Sequence, residues 1–141
     1  MIIPDLNLLL YAYNDGSPNH EGARRWWSAL LGGNEPVGVP WSVATGFVRL
    51  VTGPHVMGQP APPDLAIDTV EEWFRLPHVS PVEPGRDHLR LMRRALAATG
   101  VGGNLVNDAH VAALAIEHQA EVHSNDADFA RFPGVRWRNP L

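Results

Sequence analysis

The sequence predicts an α/β fold, a single domain with a central parallel β-sheet and helices on both faces. Its length of 141 residues is that of one domain. Apolar residues make up 45% of the chain and charged residues 18%, which is enough apolar material for a packed core. Short apolar runs alternate with segments of helical spacing, and this alternation indicates parallel strands joined by helices. We therefore expect residues 1–141 to form one domain.

The first elements are a short buried strand and two helices. Residues 2–3 are apolar and precede Pro4, which predicts a strand. A helix over residues 6–13 then begins beside Asp5. A second helix runs from about residue 20 to residue 31, where a pair of glycines stops it.

The middle of the chain predicts two strands and two helices. A strand over residues 37–39 leads into a helix over residues 41–50, and Asp64 can cap a helix that follows the PAPP loop and ends near residue 76. Residues 79–82 favour a third strand, which Pro81 confines to a sheet edge. The side chains predicted to face the core are Val43, Phe47 and Leu50 in the first helix and Leu65, Val70, Trp73 and Phe74 in the second.

The last part of the chain predicts two more helices and two more strands. The helices cover residues 86–98 and 105–118, the strands cover residues 121–124 and 135–137, and the segment SNDADF forms a turn with a short helical start. The side chains predicted to face the core are Leu89, Met92 and Leu96 in the first helix and Leu105, Ala109, Ala112, Ala113 and Ile116 in the second.

The charge balance restricts the partners of this protein. Fifteen acidic residues against 11 basic residues, all of them Arg, give a formal net charge of −4. This balance argues against indiscriminate electrostatic binding of nucleic acid. The absence of cysteine excludes disulfides, thiolate zinc sites and cysteine nucleophiles. We expect a cytoplasmic protein without a membrane partner, because the apolar start has no basic leader and no run approaches the roughly 18 to 20 apolar residues of a spanning helix.

Three acidic residues are predicted to meet at one edge of the sheet. Asp5 follows the first strand, Asp126 follows the strand that begins at Glu121, and Asp108 lies in the first turn of the helix over residues 105–118. In a parallel sheet the working crevice lies outside the carboxyl ends of the strands. These carboxylates would repel one another unless a cation neutralised them. A hard divalent ion such as Mg²⁺ prefers oxygen ligands and can position a water for attack on a phosphodiester.

Each of these acids also has a purely structural interpretation. Asp5 could cap the helix that follows it, and Asp108 is a favourable charge near a helix N-terminus. Asp126 could belong to an ordinary Asx turn. None of the three is compelling alone, and only their shared edge favours a functional site.

Four segments of the chain resemble the PIN-domain family, and within it the VapC-type toxins of bacterial toxin–antitoxin pairs. They are IIPDLNLLLYAY, VPWSVATGFVRLVT, GNLVNDAHVAALAIEHQAEVHSNDADFARFPGVRW and the closing NPL. The resemblance implies a Mg²⁺- or Mn²⁺-dependent endoribonuclease that leaves 5′-phosphate and 3′-hydroxyl ends and is held inactive by a VapB-like antitoxin. It assigns metal binding and catalysis to Asp5, Asp108 and Asp126. Asp128 is a supporting acid, and Asn7 is the candidate for a hydrogen bond to the acidic cluster.

One departure from the family pattern concerns the helix after the second strand. PIN nucleases usually carry a further acid there, most often Glu, and this chain has Gly46 beside Phe47. The loss of one carboxylate puts metal affinity and the strength of catalysis in doubt. Thr45 or an additional water could substitute, and Arg49 on the same helix could pair with an acid or a phosphate.

The remaining polar residues give weaker signals. No HExxH motif supports a zinc site, although His110 and His123 flank the acidic segment and could reach RNA. One helix carries four arginines that form either a solvated face or a phosphate-binding patch. They are Arg86, Arg90, Arg93 and Arg94.

Two alternative functions and several partners complete the prediction. Asp5 after a strand resembles the nucleophile of haloacid-dehalogenase phosphatases, but that chemistry needs a second Asp where this chain has Asn7. A catalytically weak PIN-like module that binds RNA or the antitoxin is the other alternative. We expect a homodimer that approaches DNA only through the antitoxin complex.

Overall fold

Five parallel strands form one sheet in the computed structural model, which describes residues 1–141. Their order across the sheet is β3-β2-β1-β4-β5, with the first strand in the centre. This arrangement confirms the predicted α/β class. The strands are β1 (Ile2–Pro4), β2 (Val37–Pro40), β3 (Val79–Val82), β4 (Glu121–His123) and β5 (Arg136–Arg138).

Six α-helices and one 3₁₀-helix connect the strands. Connections between parallel strands are right-handed, so the strand order places the first four helices on one face of the sheet and the remaining helices on the other. α1 packs against α2 and α3, and α5 packs against α6. The helices are α1 (Leu6–Tyr13), α2 (His20–Leu31), α3 (Trp41–Val51), α4 (Pro63–Arg75), α5 (His88–Thr99) and α6 (Leu105–Glu117), and the 3₁₀-helix covers Ala127–Arg131. No helix combines the length and apolarity needed to cross a bilayer.

The register of the central strands positions the functional edge. Pro4 of β1 is opposite His123 of β4, so the residues that follow, Asp5 and Ser124, leave the sheet side by side. The Asp5 N–H donates to the His123 carbonyl oxygen at 2.9 Å, which extends the pairing by one residue. β3 is an edge strand, as Pro81 predicts.

An aromatic cluster fills the core between the sheet and its first four helices. The rings of Phe47 and Trp73 have centroids 4.8 Å apart, and Tyr13 meets Phe47 edge-on at 5.1 Å. Trp73 and Phe47 are almost completely buried. The Trp73 indole N–H donates to the Tyr13 hydroxyl at 2.9 Å, so the buried nitrogen has a partner.

The structure corrects the predicted inner face of α5. Leu89 is 76% exposed, while His88, Leu91 and Ala95 are buried. Both sets of residues have helical spacing, and contacts with α6 select the second set because His88 bonds to Glu117 and His110 there. Met92 and Leu96, predicted to face inward, are only partly buried.

Smaller corrections apply to three other helices. α4 begins at Pro63, a favoured first position for proline, and Asp64 does not cap it. Its Leu65 is 57% exposed and Ala66 is buried instead, and the helix starts two residues earlier than a cap at Asp64 would place it. In α3, Val51 rather than Leu50 is among the buried residues. Two further side chains predicted to face the core, Phe74 in α4 and Ile116 in α6, are only partly buried.

Candidate active site

Asp5 occupies the junction between β1 and α1. Its backbone is extended and its Oδ1 accepts a hydrogen bond from the Leu6 N–H at 2.7 Å, so it caps α1. Its second carboxylate oxygen, Oδ2, accepts from the hydroxyl of Ser124 at 2.6 Å. Asp5 can therefore cap α1 and also belong to a functional site. Capping uses Oδ1, and Ser124 holds Oδ2 at the edge of the sheet.

Ser124 links three of the predicted residues, and the sequence analysis did not single it out. It is completely buried, donates to Asp5, and accepts from the Asp126 N–H at 2.9 Å and from the Asn7 side-chain amide at 3.3 Å. The side-chain oxygen of Asn7, Oδ1, is buried without a hydrogen-bond partner. The signal that could have identified Ser124 is its position directly after β4, beside Asp5.

Three carboxylates form a compact group next to this serine. One oxygen from each of Asp108, Asp126 and Asp128 lies within 4.8 Å of the others. Asp126 caps the 3₁₀-helix through a 2.8 Å bond from the Asp128 N–H, so its Asx-turn role and its place in the group coexist. Asp5 is outside this group and is connected to it through Ser124. The structure thus places Asp128 within the group of three carboxylates, although only a supporting role was predicted for it.

Burial, together with repulsion from neighbouring acids, raises the pKa values of Asp108 and Asp5. The pKa of Asp108 is raised from 3.8 to about 6, chiefly by burial and then by the charges of Asp5, Asp126 and Asp128 in that order. Burial also raises the pKa of Asp5, although hydrogen bonds from Ser124 and Leu6 partly oppose that shift. A divalent cation would relieve this repulsion, because carboxylate oxygens are the ligands that hard cations prefer. The residues present therefore fit a Mg²⁺ or Mn²⁺ ion.

A cleft of about 380 Å³ opens beside Asp5 and Asp108. Arg49 lines it and makes no ion pair with the acids. Thr45 also lines it, and its hydroxyl donates to the Trp41 carbonyl at 2.8 Å, which leaves its lone pairs available. These positions agree with the supporting roles predicted for Thr45 and Arg49, which stay predictions.

Gly46 also lines this cleft, at the position where the family pattern has an acid. A Cβ at this position would lie 2.8 Å from Cδ2 of Leu6. The Leu6 side chain therefore occupies the space that a longer residue at position 46 would need. Because that contact is with the end of a flexible side chain, a carboxylate at this position requires only that Leu6 move.

The histidines predicted near the acids have different environments. His110 lines the cleft and is half-buried, and burial together with His88 lowers its pKa. His123 is buried, and its two ring nitrogens engage Trp26 and Glu121. His123 is therefore not free to reach RNA.

The four arginines of the α5 segment are exposed, and none lines the acidic cleft. Arg90 pairs with Asp87 within its own helix region. A larger groove, of about 1010 Å³, lies between α2 and the β4–β5 edge and contains Trp26 and Arg138. This groove has no cluster of acids, so the smaller cleft is the one suited to metal-dependent chemistry.

Comparison with known proteins identifies the family to which the chain is similar. A family model described as the PIN domain matches residues 2–135. Ribonuclease VapC37 of Mycobacterium tuberculosis is 44% identical over 99% of this chain and 97% of its own length. Ribonuclease VapC33 of the same species is 40% identical over 100% of this chain and 99% of its own length.

Solved structures show the same fold at lower identity. The VapBC2 complex from Rickettsia felis, bound to a promoter DNA fragment, has a chain that matches with a TM-score of 0.69 at 17% identity, over 99% of this chain and 98% of that one. VapC20 of Mycobacterium tuberculosis, described as a sarcin–ricin-loop-cleaving toxin, matches with a TM-score of 0.69 at 17% identity, over 96% of this chain and 99% of that one. These likenesses establish the architecture of the chain.

Proposed function

The chain belongs to the PIN-domain family, and we propose that it is the ribonuclease toxin of a toxin–antitoxin pair, hydrolysing RNA phosphodiester bonds in the cytoplasm. The observation that carries the proposal is the full-length identity of 40–44% to proteins named as VapC ribonucleases. The acidic cluster at the carboxyl edge of the sheet supplies matching chemistry. The haloacid-dehalogenase alternative has no comparable support, because its second Asp is absent from position 7.

The acids are proposed to hold a divalent cation, Mg²⁺ in the first place and Mn²⁺ as the alternative. Asp108, Asp126 and Asp128 would provide oxygen ligands, and Asp5 would add its charge to the same site. A bound ion of this kind polarises a phosphate and lowers the pKa of a water that can attack it. We retain Asp5, Asp108 and Asp126 as the proposed catalytic residues.

The other residues of the cleft are proposed to orient the acids and the RNA. Ser124 holds the Asp5 carboxylate and the Asp126 backbone in fixed positions through two hydrogen bonds. Arg49 has a free guanidinium in the cleft, and a guanidinium forms strong, charge-assisted bonds with phosphate oxygens. Asn7 stabilises Ser124 from the side of α1.

A VapB-like antitoxin is the proposed inhibitory partner. In this group of carboxylates the one arginine ion pair is the partly exposed pair of Asp128 with Arg131, and the remaining negative charge attracts a cationic side chain as well as a metal ion. A basic segment of the antitoxin would therefore compete for the same cleft. The DNA contact of the VapBC2 complex, carried over to this chain, would be made through the antitoxin.

A homodimer is proposed from the outer face of α5. Leu89 is 76% exposed, and with Met92, Leu96 and Val101 it lines a shallow apolar depression on that face. A contiguous exposed apolar patch of this type is a common feature of protein interfaces. Covering it with a second copy of the chain would remove these side chains from water.

The test of the proposed function is expression of the chain with and without the small open reading frame that neighbours its gene, followed by mapping of 5′ ends of cellular RNA. We expect growth arrest with discrete cleavage, relieved by the neighbour. Asp5→Asn and Asp108→Asn should fold normally and abolish both effects. Undiminished cleavage by either variant contradicts the assignment, and RNA binding without cleavage by the unmodified protein favours the catalytically weak module that Gly46 suggests.

A further inference from the structure

Trp41 lies at the rim of the acidic cleft, one strand away from Asp5. The register of β1 and β2 puts Asp5 level with Pro40, and Trp41 follows immediately as the first residue of α3. Ser42, the next residue, lines the cleft. Because neighbouring strands are about 4.8 Å apart, Trp41 leaves the sheet beside Asp5 and at the same edge.

The indole ring of Trp41 is exposed and also held in place. Trp41 is 47% exposed, which makes it the most exposed of the five tryptophans. Its Nε1–H donates to Oε1 of Glu83 at 3.3 Å, and its ring meets the ring of Phe74 at a centroid distance of 5.5 Å and an interplanar angle of 60°. A ring fixed in this way binds a flat ligand with little loss of side-chain freedom. Single exposed apolar side chains are common on protein surfaces, so the position of Trp41 decides its meaning.

Trp41 begins a row of three side chains along α3. Thr45 and Arg49 follow it at intervals of four residues, which places all three on one side of the helix over a length of about 12 Å. All three are exposed, and Thr45 and Arg49 line the cleft. The row therefore leads from an aromatic ring to a guanidinium, with the acids alongside.

We propose that Trp41 is a substrate-binding residue that stacks on a base of single-stranded RNA, while Arg49 binds a neighbouring phosphate. This inference rests on the proposed ribonuclease function. Bases of single-stranded RNA stack on aromatic side chains whatever their sequence, because every base has a π face. Charge separates the two roles, since the carboxylate of Glu83 beside the indole repels a phosphate but not an uncharged base.

The experiment separates contacts with bases from contacts with phosphates. One ligand is a short, mixed-sequence single-stranded RNA, and the other is an oligomer of equal length with the same ribose–phosphate backbone and no bases. Binding of each is measured by fluorescence anisotropy with Mg²⁺ present, in an Asp126→Asn background that suppresses cleavage.

Five variants complete the comparison. Trp41→Ala removes the ring, Trp41→Leu keeps apolar bulk against Phe74, and Trp41→Phe keeps an aromatic face. Arg49→Ala removes the guanidinium that lines the cleft. Ile67→Ala is the matched control, because Ile67 is 46% exposed, lies on α4 and does not line the cleft. Circular dichroism confirms that each variant is folded.

We expect Trp41→Ala and Trp41→Leu to bind the RNA about tenfold more weakly than the parent protein, the effect of losing one base–aromatic stack. Both should bind the base-free oligomer as the parent does, and Trp41→Phe should retain most of the RNA affinity. Arg49→Ala should weaken the binding of both ligands and reduce its salt dependence, because phosphate contacts do not involve the bases. Ile67→Ala should change neither affinity.

Two results overturn the inference: an RNA affinity of Trp41→Leu equal to that of the parent, or an equal loss of affinity for the base-free oligomer. Unchanged RNA binding by Trp41→Leu, combined with loss of inhibition by the product of the neighbouring reading frame, makes Trp41 an antitoxin contact instead. The proposed function stands in these cases if the unmodified protein cleaves RNA. If that protein neither binds nor cleaves RNA, the proposed function itself has failed, and this inference fails with it.

Discussion

Asp108→Asn is expected to make the metal-free protein more stable while abolishing RNA cleavage. The substitution keeps the shape of the side chain and removes one charge from the group of three carboxylates, which Asp5 also influences. Raising the Asp108 pKa from 3.8 to about 6 means that the folded protein disfavours the ionised side chain. Each pKa unit corresponds to about 1.36 kcal/mol, so an unscreened shift of this size is worth about 3 kcal/mol. Asp108 is partly exposed to solvent, and screening reduces the expected gain in unfolding free energy to about 1 kcal/mol.

The pH dependence of this gain follows from the direction of the shift. The pKa of Asp108 is higher in the folded protein than in the unfolded chain, so its protonated form stabilises the fold below a pH of 3.8. That stability is lost as the pH rises through about 6. The asparagine variant does not titrate. Its advantage is therefore complete above about 6, declines between these two values and disappears below 3.8.

Urea unfolding followed by circular dichroism, with chelator present, measures this difference at about pH 7.5 and again at about pH 4.5. Asp15→Asn is the matched control, because Asp15 is exposed and lies outside the cluster. Excess Mg²⁺ should narrow the gap by stabilising the parent protein more than the variant. A variant that is less stable than the parent at the higher pH, or a gap that does not change with pH, refutes the electrostatic reasoning.

Three further substitutions probe other parts of the structure. Ser124→Ala should cost about 1–3 kcal/mol of unfolding free energy, because it leaves the Asp5 carboxylate and the Asp126 N–H without their partner, and cleavage should fall as well. Unfolding curves and cleavage of the mapped RNA check this, and a fully active variant would show that Ser124 does not orient the acids. Gly46→Glu should bind Mn²⁺ about tenfold more tightly than Gly46→Ala in calorimetry, since it adds a carboxylate to the cleft at the cost of moving Leu6. Equal affinities would mean that the added side chain points away from the ion. Leu89→Glu should shift the protein from dimer to monomer in size-exclusion chromatography with light scattering, and a dimer that survives the change places the interface elsewhere.

The sequence predicts most of the fold because recognisable residues mark where its helices and strands begin and end. Glycine pairs, prolines and the change from apolar runs to helical spacing define each element to within a few residues. The meeting of Asp5 with the segment after β4 also follows from sequence, since the carboxyl ends of parallel strands lie at one edge. Periodicity does not decide between two overlapping apolar faces of one helix. In α5 that decision depends on Glu117, which lies 29 residues further along the chain.

The details of the candidate site depend on tertiary contacts that the spacing of residues in the sequence does not predict. Ser124 is important because its hydroxyl is completely buried between β1 and the 3₁₀-helix, and burial of a single side chain is decided by tertiary packing. Asp128 joins the cluster through a local turn whose hydrogen bond to Asp126 was expected only as a structural feature. The hydrogen bonds of His88 with Glu117 and His110 join two helices and form only when α5 and α6 are packed together.

The distribution of charge explains how a protein with a net negative charge could bind RNA, which is also negatively charged. The formal net charge of −4 is equal to the charge of the four carboxylates at the site, so the rest of the chain has equal numbers of acidic and basic side chains. Such a surface has no general attraction for RNA. Burial and the neighbouring acids, which raise the Asp108 pKa in the metal-free protein, disfavour an uncompensated negative charge there. A divalent cation would compensate this charge and change the sign of the local field where the phosphate must bind. Recognition of RNA therefore has to be local, through the ion, the free guanidinium of Arg49 and the groups that line one small cleft.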